Sequence, residues 1–303
     1  MKKEKINRSP LFYVGDKYKL VQEIKTHFPT TINRFIEPFV GGGSVFLNVK
    51  ANEYLLNDID SYVIDIHKFL SSYISKEDDF FNLIFSIIEK YNLSFSYKKN
   101  NVPLELKQQF KKTYFAHFNK QNFNQLKTDY NNSKERNIAE LYVLLIYGFN
   151  RMLRFNSRNE YNLPVGNVDF NTNVFNALSD YFKLNNTKKI NWNCQDFKQF
   201  LSSIEYQEND FIYLDPPYLI TFSEYNKLWK GTTEKNLLQM LDNLNEKGVK
   251  FAISNVTHYK EKENCQFIDW SGKYNSYQIK SNYISYHDNT IKKLNEVLIT
   301  NYP

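Results

Sequence analysis

Apolar positions along the first sixty residues alternate between helical and strand spacing. Leu20, Val21, Ile24 and Phe28 recur at the helical interval. Arg34-Phe35-Ile36-Glu37 reads as a short strand, and Pro38-Phe39-Val40-Gly41-Gly42-Gly43-Ser44 as a glycine-rich turn opening a helix through Val45, Phe46 and Leu47. A second short strand, Tyr54-Leu55-Leu56-Asn57, delivers Asp58. The texture then changes. Tyr62, Val63, Ile66, Phe69, Leu70 and Tyr73 form a helical stripe, and helical patterns follow at 80–88, 110–118 and 138–147. Asn100-Asn101 and Asn131-Asn132-Ser133 read as polar surface linkers between them. Strand–helix alternation resumes with Ile190–Trp192, Phe211–Leu214, a helix near Thr233–Asn245 and a strand at Val249–Ile253. It closes with Glu296-Val297-Leu298-Ile299-Thr300. The pattern predicts an α/β domain made of residues 1–62 and 188–303, interrupted by a mainly helical insertion over 63–187.

Composition narrows the function classes. A length of 303 residues accommodates one large domain or two modest ones. No apolar run reaches membrane-spanning length and no signal-peptide core is present, so a soluble, intracellular protein is expected. Cys194 and Cys265 are far apart and have no metal-type spacing, and His27, His67, His117, His258 and His287 are scattered. No metal is expected, and each histidine reads as a surface or satisfied core residue. The formal charge of +6 is compatible with a polyanionic partner, although the heavy Lys, Asn, Ile and Tyr usage that AT-rich coding produces is the plain alternative.

The candidate chemistry sits in Asp215-Pro216-Pro217-Tyr218, directly after the apolar run Phe211-Ile212-Tyr213-Leu214. Paired prolines remove backbone donors and exclude helix or central strand. A carboxylate and a proline carbonyl are both acceptors there, suited to an exocyclic amine, with an aromatic face at Tyr218 for the ring that carries it. An ordinary Asp-Pro turn is the plain alternative. Upstream, Gly41, Gly42 and Gly43 permit close backbone approach by a ligand. Asp58, at the end of the next strand, stands where α/β nucleotide folds commonly place a ribose-binding acid. The spacing departs from G-x-G-x-x-G, which favours a nucleoside carrying an amino acid over a dinucleotide.

Taken together, Phe35-Ile36-Glu37-Pro38-Phe39-Val40-Gly41-Gly42-Gly43-Ser44-Val45-Phe46, the opening Tyr13-Val14-Gly15-Asp16-Lys17-Tyr18-Lys19-Leu20, and Asp215–Tyr218 resemble the S-adenosylmethionine-dependent amino-methyltransferases of DNA. Within them they are most similar to the Dam-type (α-group) adenine-N6 enzymes. The closing Glu296–Tyr302 matches as well, so the resemblance covers nearly the whole chain. It implies a Rossmann-like methyltransferase sheet with an inserted, mainly helical DNA-recognition domain carrying a β-hairpin at about 150–170. Tyr13, Lys17, Phe39, Gly41, Gly43, Asp58, Asp196, Phe197 and Asp215 would then bind S-adenosylmethionine, released as S-adenosylhomocysteine. Asp215, Pro216, Tyr218 and Lys17 would be catalytic. Asp196-Phe197 reads equally as a helix N-cap and a core residue. Asp16 stands where many relatives have glycine.

Tyr147–Gly166 carries the arginines, asparagines and aromatics of a DNA-contact loop, and Ser157–Asn159 signals a hairpin turn. A solvated polar hairpin is the alternative. The same resemblance implies DNA contacts from Phe149, Asn150, Met152, Arg154, Asn156, Asn162 and Pro164. Arg154 would read guanine O6 and N7, Asn150 would lie by the flipped base, Met152 and Pro164 would lie near a thymine methyl, and Asn156 and Asn162 would meet phosphates. The expected partner is duplex DNA at GATC or another GAT-containing site. A cognate restriction endonuclease would act separately, and a cytoplasmic monomer of bacterial or phage origin is expected. The motif leans away from a cytosine-N4 or RNA enzyme, and the intact residues lean away from a non-catalytic DNA-binding protein. A nicotinamide oxidoreductase leaves the hairpin unexplained.

Overall fold

The structure is a computed structural model that describes residues 5–99, 102–221, 229–280 and 294–303 of the chain. Asn100-Asn101 and His287 lie outside the described residues. Contacts divide the chain into two compact units. One comprises Lys17–Val40, Asn48–Ile59 and Lys189–Pro303; the other comprises Met1–Asp16, Gly41–Leu47 and Asp60–Lys188.

The first unit is built on a sheet. Its strands are β1 (Arg34–Glu37), β2 (Glu53–Asn57), β3 (Lys189–Asn193), β4 (Phe211–Leu214), β5 (Lys250–Tyr259), β6 (Lys262–Glu263), β7 (Asn275–Ile279) and β8 (Leu294–Thr300). They follow the order β3-β2-β1-β4-β5-β8-β7, with β6 paired to β5. β3, β2, β1, β4 and β5 run parallel, and β8 is inserted antiparallel between β5 and β7, so that β7 runs in the direction of β5. β4 is buried at all four positions, as expected of a central parallel strand that must be apolar on both faces. Its Ile212 and Leu214 join Ile36, Phe251, Ile253, Leu237, Leu241 and Trp270 in the core. The helices α8 (Phe197–Ser202), α9 (Gly231–Glu246) and α10 (Cys265–Ser271) contribute to this core from their buried faces. Strand order reverses between β1 and β4, and ligand crevices of open α/β sheets form outside the carboxyl ends of strands at such a switch point. Both candidate motifs leave the sheet there, Pro38-Phe39 from β1 and Asp215 from β4.

The second unit is helical. It contains α2 (Ser61–Ser72), α3 (Glu77–Lys90), α4 (Leu104–Gln109), α5 (Tyr114–Asn132), α6 (Ile138–Tyr147) and α7 (Thr172–Asn185). Every residue of α6 from Leu141 to Tyr147 is buried, and it packs against α2, α3 and α5. A helix apolar all round belongs at the centre of its unit. Asp60, Asn137 and Asn171 cap α2, α6 and α7 through side-chain oxygens.

Four expectations are corrected. The helical pattern at 20–28 yields only α1 (Val21–Ile24) and one 3₁₀ turn, because Phe28 is extended. Val45–Leu47 opens no α-helix, only a 3₁₀ turn at Phe46–Asn48. Residues 42–49 are all buried, so there is no solvent side for an amphipathic stripe to select. The pattern at 110–118 is broken, since α4 ends at Gln109 and α5 begins at Tyr114. Phe110 instead folds its ring onto His117, centroids 3.5 Å apart. Asn131 and Asn132 are not linker but the last turn of α5.

Candidate active site

In the sheet unit, Lys17 is 3 % exposed and its Nζ lies 2.9 Å from Asp215 Oδ2 and 3.5 Å from Glu296 Oε1. The Tyr218 hydroxyl donates to Asp215 Oδ1 at 2.8 Å and to Glu296 Oε1 at 3.2 Å. Lys17 Nζ also stands 5.1 Å from the Tyr218 ring centroid. One buried ammonium and one phenol are thus shared by two carboxylates. Pro216, directly after Asp215, is buried, and no regular structure spans Asp215–Tyr218. Two acid groups at the mouth of a parallel sheet create a negative, acceptor-rich site with an aromatic wall.

Glu296 is the member that sequence reading missed. It sits in β8, 1 % exposed, in a strand whose remaining residues are apolar enough to read as core. A charged residue facing inward from a buried strand was the available signal, because such groups are almost never buried without partners. Its partners lie 78 residues away or more, beyond any local pattern.

At the carboxyl end of β2, Asn57 is fully buried and clamps two loops. Its Nδ2 donates at 3.0 Å to both Pro38 O and Gln195 O, and its Oδ1 accepts from Gln195 N. Val40 N donates to Asn57 O at 2.9 Å. Asp58 follows, half-buried, with its N–H directed to Asn193 O. Asp196 caps α8 by accepting from Lys198 N at 2.9 Å, and Phe197 is buried. Both roles read from sequence for this pair are therefore filled. Phe39 packs against Phe197 at 5.4 Å and edge-on to Trp229 at 5.8 Å, which forms a small aromatic wall beside Asp196. Trp229 had no sequence signal beyond being aromatic.

Three of the proposed cofactor residues lie in the helical unit. Gly41 and Gly43 adopt φ of +47° and +77°, which only glycine takes readily. A Cβ on Gly42 would come within 2.8 Å of Tyr13 Cβ, so Tyr13 packs directly on the turn. The Ser9 hydroxyl donates to Gly42 O. His67 is fully buried, and its Nε2 donates at 2.9 Å to Gly41 O. Burial pushes its pKa down to about 4, so the imidazole is neutral at ordinary pH and serves as a fixed donor. A Cβ at Gly43 would overlap the Phe46 ring and crowd His67. Gly43→Ala is expected to destabilise the protein by about 1–3 kcal/mol through overpacking and a forced left-handed Ala, seen as a lower urea midpoint.

The predicted hairpin follows α6 in the same unit. Gly148 bridges Val165 and Phe155 bridges Tyr161, both antiparallel. Asn162 N donates to Arg154 O at 3.0 Å and Asn156 N to Glu160 O at 2.9 Å. Asn159 closes the turn at φ +61°. Arg154 Nε is held by Asn162 Oδ1 at 2.8 Å, and Asn156 spends its amide on Glu160 and on the turn's N–H groups. Phe149, Asn150, Asn162 and Pro164 are exposed and Met152 is half-buried. Asn131 of α5 pairs with both backbone groups of Tyr161, at 2.8 and 3.0 Å, and Tyr62 stacks on Phe155 at 3.7 Å. The hairpin is therefore fastened by α5 and α2.

Residues 13–286 match the D12 class N6 adenine-specific DNA methyltransferase family. The chain belongs to this family. Among relatives of this D12 chain, the type II methyltransferase M.FokI of Planomicrobium okeanokoites is 35 % identical over 97 % of the chain. The modification methylase StsI of Streptococcus sanguinis is 34 % identical over 99 %. The chain spans 43 % of the length of each of these two proteins. A DNA adenine methylase of Haemophilus influenzae is 30 % identical over 78 % of the chain and 73 % of its own length. Among the described residues of the D12 chain, no three His, Cys, Asp or Glu side chains cluster to hold a metal, and no helix is long and apolar enough to cross a membrane.

Proposed function

We propose that this chain transfers a methyl group from S-adenosylmethionine to N6 of an adenine flipped out of duplex DNA. The observation that carries the reading is the Lys17–Asp215–Tyr218–Glu296 cluster at the carboxyl end of β4. Adenine N6 is a weak nucleophile because its lone pair is delocalised into the ring. Asp215 and the Pro216 carbonyl accept its two hydrogens, which favours a more tetrahedral nitrogen. Tyr218 supplies the stacking face for the extruded base. Lys17 holds the Asp215 carboxylate in place, and Glu296 positions Lys17 and the Tyr218 hydroxyl.

The residues present suit the donor. The aromatic cluster of Phe39, Phe197 and Trp229 beside Asp196 offers apolar ring faces and edges for an adenine, and Asp58 offers a carboxylate for ribose hydroxyls. Gly41 leaves the backbone open to close approach by the amino-acid part, since a Cβ there would meet nothing, while Gly43 lets the turn pack against Phe46 and His67. When bound, the donor supplies an electrophilic methyl on a sulfonium, and the protein's part is orientation and electrostatics.

The hairpin is assigned to target recognition, with Arg154 on guanine O6 and N7 in GATC or another GAT-containing site. Its guanidinium is already oriented by Asn162, which lowers the ordering cost of a bidentate contact. Asn150 is assigned to the region of the flipped base and Met152 and Pro164 to a thymine methyl. A separately acting endonuclease is the expected partner of such a site-specific modifier. Sequencing DNA methylated in vitro tests these roles together. Arg154→Ala is expected to lose about 1–3 kcal/mol of discrimination at one base and to spread methylation over sites differing there. Unchanged site preference would remove Arg154 from base reading.

A further inference from the structure

The base of the hairpin holds a second cationic feature that the mechanism does not use. Asn150 and Arg151 are consecutive non-glycine residues at φ +53° and +50°. Left-handed backbone costs on the order of 1 kcal/mol for each such residue, so adjacent ones persist only where something is gained. The Arg151 guanidinium lies 4.2 Å from the Phe12 ring centroid, and that of Arg8 lies 4.5 Å from the same centroid. Two cations therefore share one aromatic ring. Arg151 is half-buried with its Nε shielded from solvent, and among the described residues that Nε meets no hydrogen-bond acceptor.

For Arg151, compensation by acids among the described residues is thin. Asp169 is the carboxylate that acts on Arg151, but its oxygens are committed to Ser96 N and Oγ at 2.5–2.8 Å, and the two residues form no ion pair. Burial, with Arg8 adding like-charge repulsion, pushes the Arg151 pKa down to about 10. A half-buried cation beside a second cation is costly, and an anion arriving between them offsets that cost. Arg8 is exposed, so the pair is reachable from solvent.

We propose that Arg8 and Arg151, braced on Phe12, clamp one phosphate of the bound duplex at the base of the hairpin. This rests on the reading of the chain as a DNA methyltransferase. Arginine suits the task because its planar fork pairs with phosphate oxygens in two places while its face stays on the ring. The contact carries no sequence information. It fixes the register of the hairpin on the backbone.

Fluorescence anisotropy with the full chain tests it, using duplexes that carry GATC, GAT in other flanks, and no GAT. For wild type, log K is measured against log salt. Arg8→Gln and Arg151→Gln are each expected to weaken binding to all three duplexes alike and to make the salt slope shallower by up to about 1. Arg151→Lys is expected to retain most of the slope. Arg8→Gln changes an exposed side chain, so it reports even if Arg151→Gln folds poorly. An unchanged slope in Arg8→Gln overturns the proposal. So does a changed preference among the duplexes, which would make the pair a base contact, or a loss of S-adenosylmethionine affinity with the slope intact, which would assign the pair to the donor's carboxylate. If wild type itself neither binds duplex nor methylates it, the functional reading fails instead.

Discussion

Asp215→Ala is expected to reduce methyl transfer by at least about 10²–10³-fold in single-turnover assays, while duplex affinity stays largely intact. The size follows from removing a preorganised charged acceptor from the place the proposed reaction assigns to the amine. Asp215 also receives Lys17 and Tyr218, so its loss frees both to rearrange. Asp215→Asn separates these effects. The amide keeps one carbonyl acceptor and the side-chain volume, but it offers an N–H where the amine needs an acceptor. It is expected to bind duplex and donor yet remain severely impaired. Turnover near the wild-type rate in either variant would take Asp215 out of the chemistry.

Lys17→Met is expected to lower both stability and activity. The ammonium is almost fully buried and is the cation placed between Asp215 and Glu296, the latter with no side-chain exposure. Removing one partner of a buried ion pair costs about 3–5 kcal/mol. The lower end applies here, because Asp215 is 19 % exposed and keeps some hydration. Adding Glu296→Leu to Lys17→Met removes the stranded carboxylate and should recover part of the urea midpoint without recovering methyl transfer. A midpoint for Lys17→Met equal to wild type would contradict the buried cluster. Restored activity in the double variant would contradict the catalytic role of Lys17.

Much of the sheet was legible because its strands are short continuous apolar runs. Arg34–Glu37 and Phe211–Leu214 were read at their observed bounds, as was the buried helix 138–147. β7 was not legible. Asn275–Ile279 is an edge strand whose burial reaches only one end, so it carries almost no apolar signal. The glycine turn was visible, but the helix after it was inferred from composition, and burial on all sides made it a 3₁₀ turn instead. The family motifs drew attention to Asp215, Lys17 and Arg154. Glu296, which holds Lys17 and Tyr218, Asn57 and His67, which hold the loops at Pro38 and Gly41, and Asn131, which fastens the hairpin at Tyr161, act through contacts across many residues and carry no motif of their own.

The central claim is chemical, that the product is a methylated exocyclic amine of adenine. Nucleoside mass spectrometry of duplex DNA incubated with the full chain and S-adenosylmethionine tests it most directly. The account predicts N6-methyladenine formed by the wild-type chain and absent with Asp215→Ala. N4-methylcytosine, methylation of RNA alone, or equal product from the Asp215→Ala variant would contradict it.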